Sequence, residues 1–125
     1  MELTREEALS YHRQMWSDMQ RDLGNDPSVL QREKYKRQFC EKYFPKQNIR
    51  DNCFLCEYVE TMTFGQGCFG VNCDYCPIKW DFNVCFDGGS VKKSYRNMPI
   101  SELLALPERD IKRIIKWLNL FIAIL

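Results

Sequence analysis

Four cysteines in this sequence stand in two pairs of a type that binds metals. Cys53 and Cys56 form one C-x2-C pair, and Cys73 and Cys76 form a second after a spacer of 16 residues. A C-x2-C turn directs both sulfurs to one side, so two such turns can complete the tetrahedron of thiolates that zinc prefers. We therefore expect one structural zinc ion held by these four residues.

The other cysteines leave the ligand set open. Cys68 and Cys85 each lie within loop reach of the two pairs, and either could replace one of the four ligands. Cys40 falls within a predicted helix, where a cysteine is more often a small buried hydrophobic residue than a ligand.

A redox use of the first pair is the main alternative to metal binding. Redox C-x2-C pairs normally lie where a strand meets a helix in a thioredoxin-like fold, and no strand is predicted before Cys53. Disulfides would require export, but the acidic N-terminus lacks the apolar stretch of a signal peptide. The odd total of seven cysteines also agrees with reduced thiols. Structural metal binding is the favoured interpretation.

Few residues in the sequence suit catalysis. A catalytic zinc keeps an open position and usually has histidine ligands, whereas His12 is the only histidine. It lies on the apolar stripe of the first predicted helix, so we expect a core or interface residue. Glycine-rich phosphate loops and nucleophile motifs are absent. The sequence therefore predicts a protein that is not an enzyme.

Helices are predicted on the N-terminal side of the cysteines. Thr4 and Glu7 form a capping box at the start of an amphipathic helix, and Gly24 suits its C-terminal end. A second helix is expected to begin at Asp26–Pro27 and to run to about Phe44.

The cysteine-rich centre is expected to fold differently from its flanks. Its aromatic residues and glycines favour hairpins and turns around the metal, with a short strand near Tyr58–Phe64. After it, Ser101 is expected to cap a short helix, and Pro107 to open a last, apolar helix.

These elements together predict a single α+β domain over residues 1–125. Its expected parts are a helical region at 1–47, a zinc-binding unit at 48–97 and a C-terminal helical region at 98–125. The zinc is expected to compensate for a small hydrophobic core.

Charge is distributed unevenly along a chain whose net charge is only +1. Residues 28–50 carry +5 and residues 51–90 carry −5, to which four thiolates on zinc would add about two negative charges. The acidic metal-binding segment would repel phosphates, while the basic second helix would attract them. A protein partner is therefore favoured, and a regulatory nucleic-acid-binding zinc protein is the second hypothesis.

An acidic and aromatic surface is the expected partner-binding site. Its acidic members are Glu57, Glu60, Asp74, Asp81 and Asp87. This surface could occupy a nucleic-acid groove on a partner protein, with Phe69 and Phe82 as aromatic anchors. The last helix offers a homodimer surface, although burial in the protein's own core is favoured for it.

The cysteine pairs, together with the residues that follow them, resemble a known family. The runs NCFLCEY at 52–58 and CDYCPIKW at 73–80 are similar to those of small phage and prophage proteins, in which Cys-x-x-Cys-Glu-Tyr precedes Cys-x-x-Cys-Pro-x-x-Trp. The resemblance covers residues 4–100, with specific cysteine pairs and looser similarity elsewhere. This chain departs from the family pattern in a Gly- and Phe-rich insert at 64–71.

The resemblance implies a phage origin and a location in the cytoplasm of a bacterial host cell. It gives no activity by itself. By association, it favours a protein that binds and blocks a host protein, such as a CRISPR nuclease or another defence protein. No membrane association is expected, because the apolar tail Leu118–Leu125 is far shorter than the roughly 20 residues that span a bilayer.

Overall fold

The computed structural model describes residues 2–49, 52–63, 75–80 and 94–109. The helices in these residues are α1 (Arg5–Leu23), α2 (Val29–Tyr43), α3 (Phe54–Met62) and α4 (Ile100–Leu104). Within the same residues the β pairing is limited to an isolated antiparallel bridge between Ile78 and Glu108. The expected α+β class is therefore wrong, because the described part of the chain is mostly helical and forms no sheet.

The central segment differs most from expectation. Where hairpins and a strand near Tyr58–Phe64 were expected, residues 54–62 form α3. Phe54, Leu55 and Val59 are all almost fully buried. A helix places these three side chains on one face, whereas a strand would separate Phe54 from Leu55 on opposite faces. Their packing against the rest of the core therefore favours the helix.

The first helix begins and ends as predicted. Thr4 Oγ1 accepts a hydrogen bond from the Glu7 amide at 3.1 Å, and the Thr4 amide donates to Glu7 Oε1 at 3.0 Å. Gly24 follows the helix with φ of 84°, and its amide donates to the Gln20 carbonyl. The positive φ explains why glycine, which has no Cβ, suits this position.

The second helix begins two residues later than expected. Its N-cap is Ser28, whose hydroxyl accepts from the Gln31 amide at 3.2 Å while the Ser28 amide donates to Gln31 Oε1 at 2.8 Å. This reciprocal pair satisfies two groups at the helix start. The expected start at Asp26–Pro27 is wrong because Ser28 and Gln31 form the cap instead.

Helix α1 lies at the centre of the described fold and packs against α2, α3 and α4. Its residues Ala8, Met15, Trp16 and Met19 are nearly inaccessible to solvent, as their helical spacing predicts. Much of the rest of the core comes from α2, α3 and α4, from residues 75–80 and from the turn before α4. These core residues include Phe39, Cys40, Phe54, Leu55, Val59, Cys76, Ile78, Trp80, Met98, Ile100 and Leu103.

The short helix α4 is capped by a residue distant in sequence. Its N-cap position is Pro99, which gives no side-chain cap, and Ser101 lies inside the helix. The Ser101 amide instead donates to Asn25 Oδ1 at 2.7 Å, and the Ile100 amide donates to the Asn25 carbonyl at 2.9 Å. The expected cap at Ser101 is therefore wrong, because the loop after α1 supplies the acceptors.

The last helix was expected to begin at Pro107, but residues 107–109 are not helical and Glu108 forms the bridge with Ile78, so this start is wrong. The rest of the predicted helix lies outside the described residues. None of the helices described here has the length and apolar character needed to cross a membrane.

Candidate functional site

The first cysteine pair lies at the start of α3. Cys53 occupies the N-cap position and Cys56 lies in the first helical turn. Cys53 is half-buried and Cys56 is buried. The C-F-L-C sequence thus opens a helix, and the helix end holds its two cysteines close together.

The surroundings of Cys53 favour its thiolate form. The pKa of the Cys53 thiol is lowered to about 6, and the largest cause is its hydrogen bond with the Cys56 side chain. Burial opposes this effect, while the Lys36 ammonium and the backbone N–H groups of Cys56 and Leu55 reinforce it. The N-terminus of a helix is a position that stabilises thiolates in general.

Lys36 of α2 is a buried cation whose charge acts on Cys53 and Cys56. It is only 2% exposed, and its Nζ lies 4.3 Å from the centroid of the Tyr95 ring. Burial acts to lower the pKa of Lys36, but negative charge at Cys53, with Tyr95, Glu33 and Cys56, outweighs it and raises the pKa. The side chain is therefore a fixed positive charge in the core.

Cys40 lies one helical turn after Lys36 and behaves differently from Cys53. It is 4% exposed, and burial raises the pKa of its thiol to about 11. Cys40 is therefore a neutral buried thiol, in agreement with its predicted role as a small hydrophobic residue.

The second cysteine pair is described only in part. Cys76 is buried within the hydrophobic core, and its carbonyl accepts a hydrogen bond from Arg109 Nε at 3.1 Å. The segment that carries it is held by the Lys79 amide, which donates to the Pro107 carbonyl at 2.9 Å. Three cysteines named as ligands or alternatives lie outside the described residues: Cys68, Cys73 and Cys85.

Within the described residues, only the first cysteine pair of the expected zinc site is brought together. In the part of the chain that the structure describes, no three Cys, His, Asp or Glu residues are grouped so that they could hold a metal ion. Cys76 is therefore not assembled with Cys53 and Cys56 as a third ligand. The first pair nevertheless offers two thiol donors of the type zinc uses, in surroundings that favour thiolates.

His12 is a buried core residue, as its position on α1 predicted. Its ring lies 6.5 Å from that of Trp16 and 6.3 Å from that of Trp80. Its Nδ1 atom is buried and has no hydrogen-bond partner among residues 2–49, 52–63, 75–80 and 94–109. Burial, helped by the charges of Lys36 and Arg13, lowers the pKa of His12 to about 3. The imidazole is therefore neutral.

The expected partner-binding residues are mostly beyond the described ranges. Those outside are Phe69, Asp74, Asp81, Phe82 and Asp87. Glu57 is only 3% exposed and so adds nothing to an exposed acidic face, while Glu60 is half-buried.

The basic second helix presents less positive charge to solvent than its sequence suggests. Arg32 is 2% exposed and donates to the carbonyls of Pro27, Tyr95 and Met98 at 2.9, 3.0 and 2.5 Å. With Lys36 also buried, two of the basic side chains serve the interior. This arrangement reduces the surface that α2 could offer to phosphates.

Sequence reasoning did not identify Arg32 and Lys36 as interior residues. A signal was present, because Arg32, Lys36, Phe39 and Cys40 follow the i, i+4, i+7, i+8 spacing of one helix face. Because Phe39 and Cys40 are apolar, that face could have been predicted to be buried. The long alkyl stems of the two cations allow them to share it.

No family model, curated protein or solved structure matches this chain. The resemblance to phage proteins therefore stays a prediction.

Proposed function

We propose that the chain is a non-enzymatic zinc protein whose metal site is founded on Cys53 and Cys56, with Cys73 and Cys76 as the expected second pair, although Cys76 is not grouped with the first pair in this structure. The observation that carries the proposal is the placement of the first pair at the start of α3, with Cys53 at the N-cap and Cys56 in the first turn. Zinc binds the thiolate form of cysteine, and these surroundings favour that form.

A structural role for the metal follows from the position of the two pairs. Cys53 and Cys56 begin α3, which packs on α1, while Cys76 lies in a segment held against residues 107–109. A zinc ion shared by both pairs would join these parts of the chain. Such a link would add binding free energy directly to folding free energy.

Metal content of the full-length reduced protein tests this proposal. We expect one zinc per chain by elemental analysis, and we expect Cys53→Ser and Cys56→Ser each to lose most of it. Cys40→Ser is the matched control, since Cys40 is a buried neutral thiol on α2, and it should retain the metal. Zinc-free wild-type protein from zinc-supplemented growth, or full zinc content in the Cys53→Ser, Cys56→Ser double variant, would refute the site.

A second candidate function is a redox-active dithiol, which the N-cap position of Cys53 favours. In redox C-x2-C pairs the first cysteine is the activated one. Here Cys53 would attack a small disulfide such as oxidised glutathione and release one thiol. Cys56 would then displace the second, leaving a Cys53–Cys56 disulfide and two reduced glutathione molecules.

The reaction of zinc-loaded and zinc-free protein with oxidised glutathione distinguishes a zinc protein from a redox dithiol. For a zinc protein, we expect bound metal to protect the pair from oxidised glutathione, with free thiols counted by mass spectrometry after alkylation. For a redox dithiol, we expect rapid and reversible disulfide formation in protein as isolated, without prior removal of metal.

The proposed partner is a host protein, with a bacterial defence nuclease as the favoured class. This part of the proposal is supported by the sequence resemblance to phage proteins and by the burial of Arg32 and Lys36, which limits the basic surface. Pull-down from bacterial lysate with the zinc-loaded chain tests it, with reproducible capture of one nuclease expected. Steeply salt-dependent binding to generic DNA or RNA would instead favour the nucleic-acid alternative.

A further inference from the structure

A groove of about 560 Å³ is formed by one side of α1 together with Glu108. We propose that this groove is a docking site for an acidic segment of a partner protein, whose carboxylate takes the place of the Glu108 side chain between Arg5 and Arg13. The inference names the chemistry of the partner. It therefore rests on the proposed protein-binding function, but it does not depend on zinc.

Two arginines of α1 converge on the Glu108 carboxylate. Arg5 Nη2 contacts Glu108 Oε2 at 3.4 Å, and Arg13 Nη2 contacts Glu108 Oε1. Each carboxylate oxygen thus has its own guanidinium, supplied from positions about two helical turns apart. Guanidinium groups bind carboxylates through charge-assisted hydrogen bonds. The two arginines therefore form a receptor for one carboxylate, and Glu108 is the carboxylate that the chain itself supplies.

The ion pairs with Glu108 are weak enough for another carboxylate to replace them. The side chains of Arg13 and Glu108 are 49% and 41% exposed, and exposed ion pairs contribute little because water and salt screen their charges. A carboxylate from a partner exchanges one such ion pair for another. The partner then adds the contacts that its own chain makes along the groove.

The backbone around Glu108 is held without the help of its side chain. The Lys79 amide donates to the Pro107 carbonyl at 2.9 Å, and the Arg109 amide donates to the Pro77 carbonyl at 2.7 Å. These two hydrogen bonds fix the segment on either side of Glu108 by its main chain. The Glu108 side chain can therefore leave the arginines while the fold around it stays intact.

Further donors in the groove suit a ligand larger than one carboxylate. Arg5 Nε is buried and has no hydrogen-bond partner among the residues that the structure describes. Ser10 and Ser17 also line the groove, and both are exposed. Their hydroxyl groups can donate to the carbonyls or to a second carboxylate of a peptide.

The charges that line the groove favour a peptide over a nucleic acid. Within the described lining there are two cations, Arg5 and Arg13, and a second carboxylate at Glu6. Nucleic acids gain affinity from many phosphate contacts along a basic surface, which this lining does not offer. A protein segment that presents one carboxylate to the two arginines matches it better.

An NMR titration of the isotope-labelled full-length protein tests the inference. The probe is the blocked peptide acetyl-Gly-Glu-Glu-Gly-amide, and its control is acetyl-Gly-Gln-Gln-Gly-amide, which has the same length without the carboxylates. We expect the acidic peptide to cause saturable shifts in the amide signals of α1 and of Glu108, and the control peptide to cause none.

Two variants distinguish a ligand site from a structural ion pair. Glu108→Gln removes the competing carboxylate and should tighten peptide binding by about two- to sixfold, the range that an exposed ion pair of ordinary strength implies. Arg13→Gln removes one guanidinium and should weaken binding by about tenfold. Arg37→Gln, which changes an exposed arginine of α2, is the matched control and should leave affinity unchanged.

Each outcome decides the inference. Tighter binding by Glu108→Gln supports it, and this variant alone decides if Arg13→Gln does not fold. Absence of saturable binding, equal binding of the Gln peptide, or no gain in Glu108→Gln would overturn it. A thymidine oligonucleotide that binds more tightly than the peptide at the same signals would overturn the assignment to a protein partner.

The lysate pull-down separates failure of this inference from failure of the proposed function. A host protein whose capture is unchanged by Arg13→Gln would leave the proposed function in place and overturn the groove as its binding site. Binding of the acidic peptide without capture of any host protein would support the groove and refute the proposed host partner.

Discussion

At the scale of single residues, three of the buried side chains in the described part of the chain are basic, and their surroundings differ. His12, Arg32 and Lys36 are each no more than 3% exposed. Backbone carbonyls accept the hydrogen bonds of the Arg32 guanidinium, whereas the Lys36 ammonium lies over the Tyr95 ring and is attracted electrostatically by Cys53. His12 has no such compensation for a charge, and it therefore resists protonation.

The neutral state of His12 predicts a specific dependence of stability on pH. The folded protein binds a proton at His12 only near pH 3, whereas the unfolded chain binds one below about 6.5. Stability is therefore lost as the pH falls through this window, with a slope of up to about 1.4 kcal/mol per pH unit. His12→Phe should remove this contribution.

Urea unfolding between pH 6 and pH 5 measures the effect. The free energy of unfolding should fall more steeply with decreasing pH for the wild type than for His12→Phe, and the difference between slopes is the quantity of interest. Because the chain has one histidine, no other imidazole contributes. Parallel slopes would show that His12 takes up protons in the folded protein.

At the scale of elements, α4 is too short to be stable by itself and depends on its neighbours. Isolated helices of this length are unfavourable because nucleation fixes several residues for few hydrogen bonds. Asn25 holds the start of α4 through three hydrogen bonds. Its carbonyl accepts from the Ile100 amide, its Oδ1 atom accepts from the Ser101 amide, and its Nδ2 atom donates to Ser101 Oγ at 3.0 Å. The loop after α1 thus positions α4.

Removal of the Asn25 side chain should loosen α4. We expect Asn25→Ala to lower the free energy of unfolding by about 1 kcal/mol, as for other lost helix caps. Asn25→Asp keeps an acceptor for the Ser101 amide and should retain most of the stability. Asn48, an exposed residue outside the helices, gives the control Asn48→Ala, for which a change within about 0.5 kcal/mol is expected. Equal losses for both alanine variants would argue against the cap.

At the scale of the whole molecule, arginines join parts of the chain that are distant in sequence. Arg32 ties α2 to the turn at residues 95–98. Arg5 and Arg13 on α1 contact the Glu108 carboxylate, and Arg5 also donates to the Arg109 carbonyl. The contacts with Glu108 are exposed and add little stability, whereas those of Arg32 are buried.

Substitution of Arg32 should therefore lower the stability of the protein more than substitution of Arg5 or Arg13. We expect Arg32→Met to lower the free energy of unfolding by about 3 kcal/mol, since carbonyls of Pro27, Tyr95 and Met98 lose their donor. Arg37→Met changes an exposed arginine of the same helix and should be nearly neutral. Thermal and urea unfolding of both variants provide the comparison, and a similar loss for the two would contradict the role of Arg32.

Local features were determined by the sequence alone. These features are the Thr4–Glu7 capping box, the apolar stripe of α1 and the end of α1 at Gly24. Each depends on residues within a few positions of one another, so each can be predicted without knowledge of the fold. The spacing of the cysteines likewise predicts a metal site, which stays a prediction; the described pair lies at the start of a helix.

Only the tertiary structure decided that residues 54–62 are helical, that Asn25 caps α4, and that Lys36 is buried. Each depends on contacts between segments far apart in sequence, whose free energy outweighs local preference. The aromatic and cysteine-rich composition around α3 is typical of strands as well as helices, and packing against α1 selects the helix. In the sequence Lys36 is one of several basic residues of a helix, and its burial becomes apparent only in the folded protein.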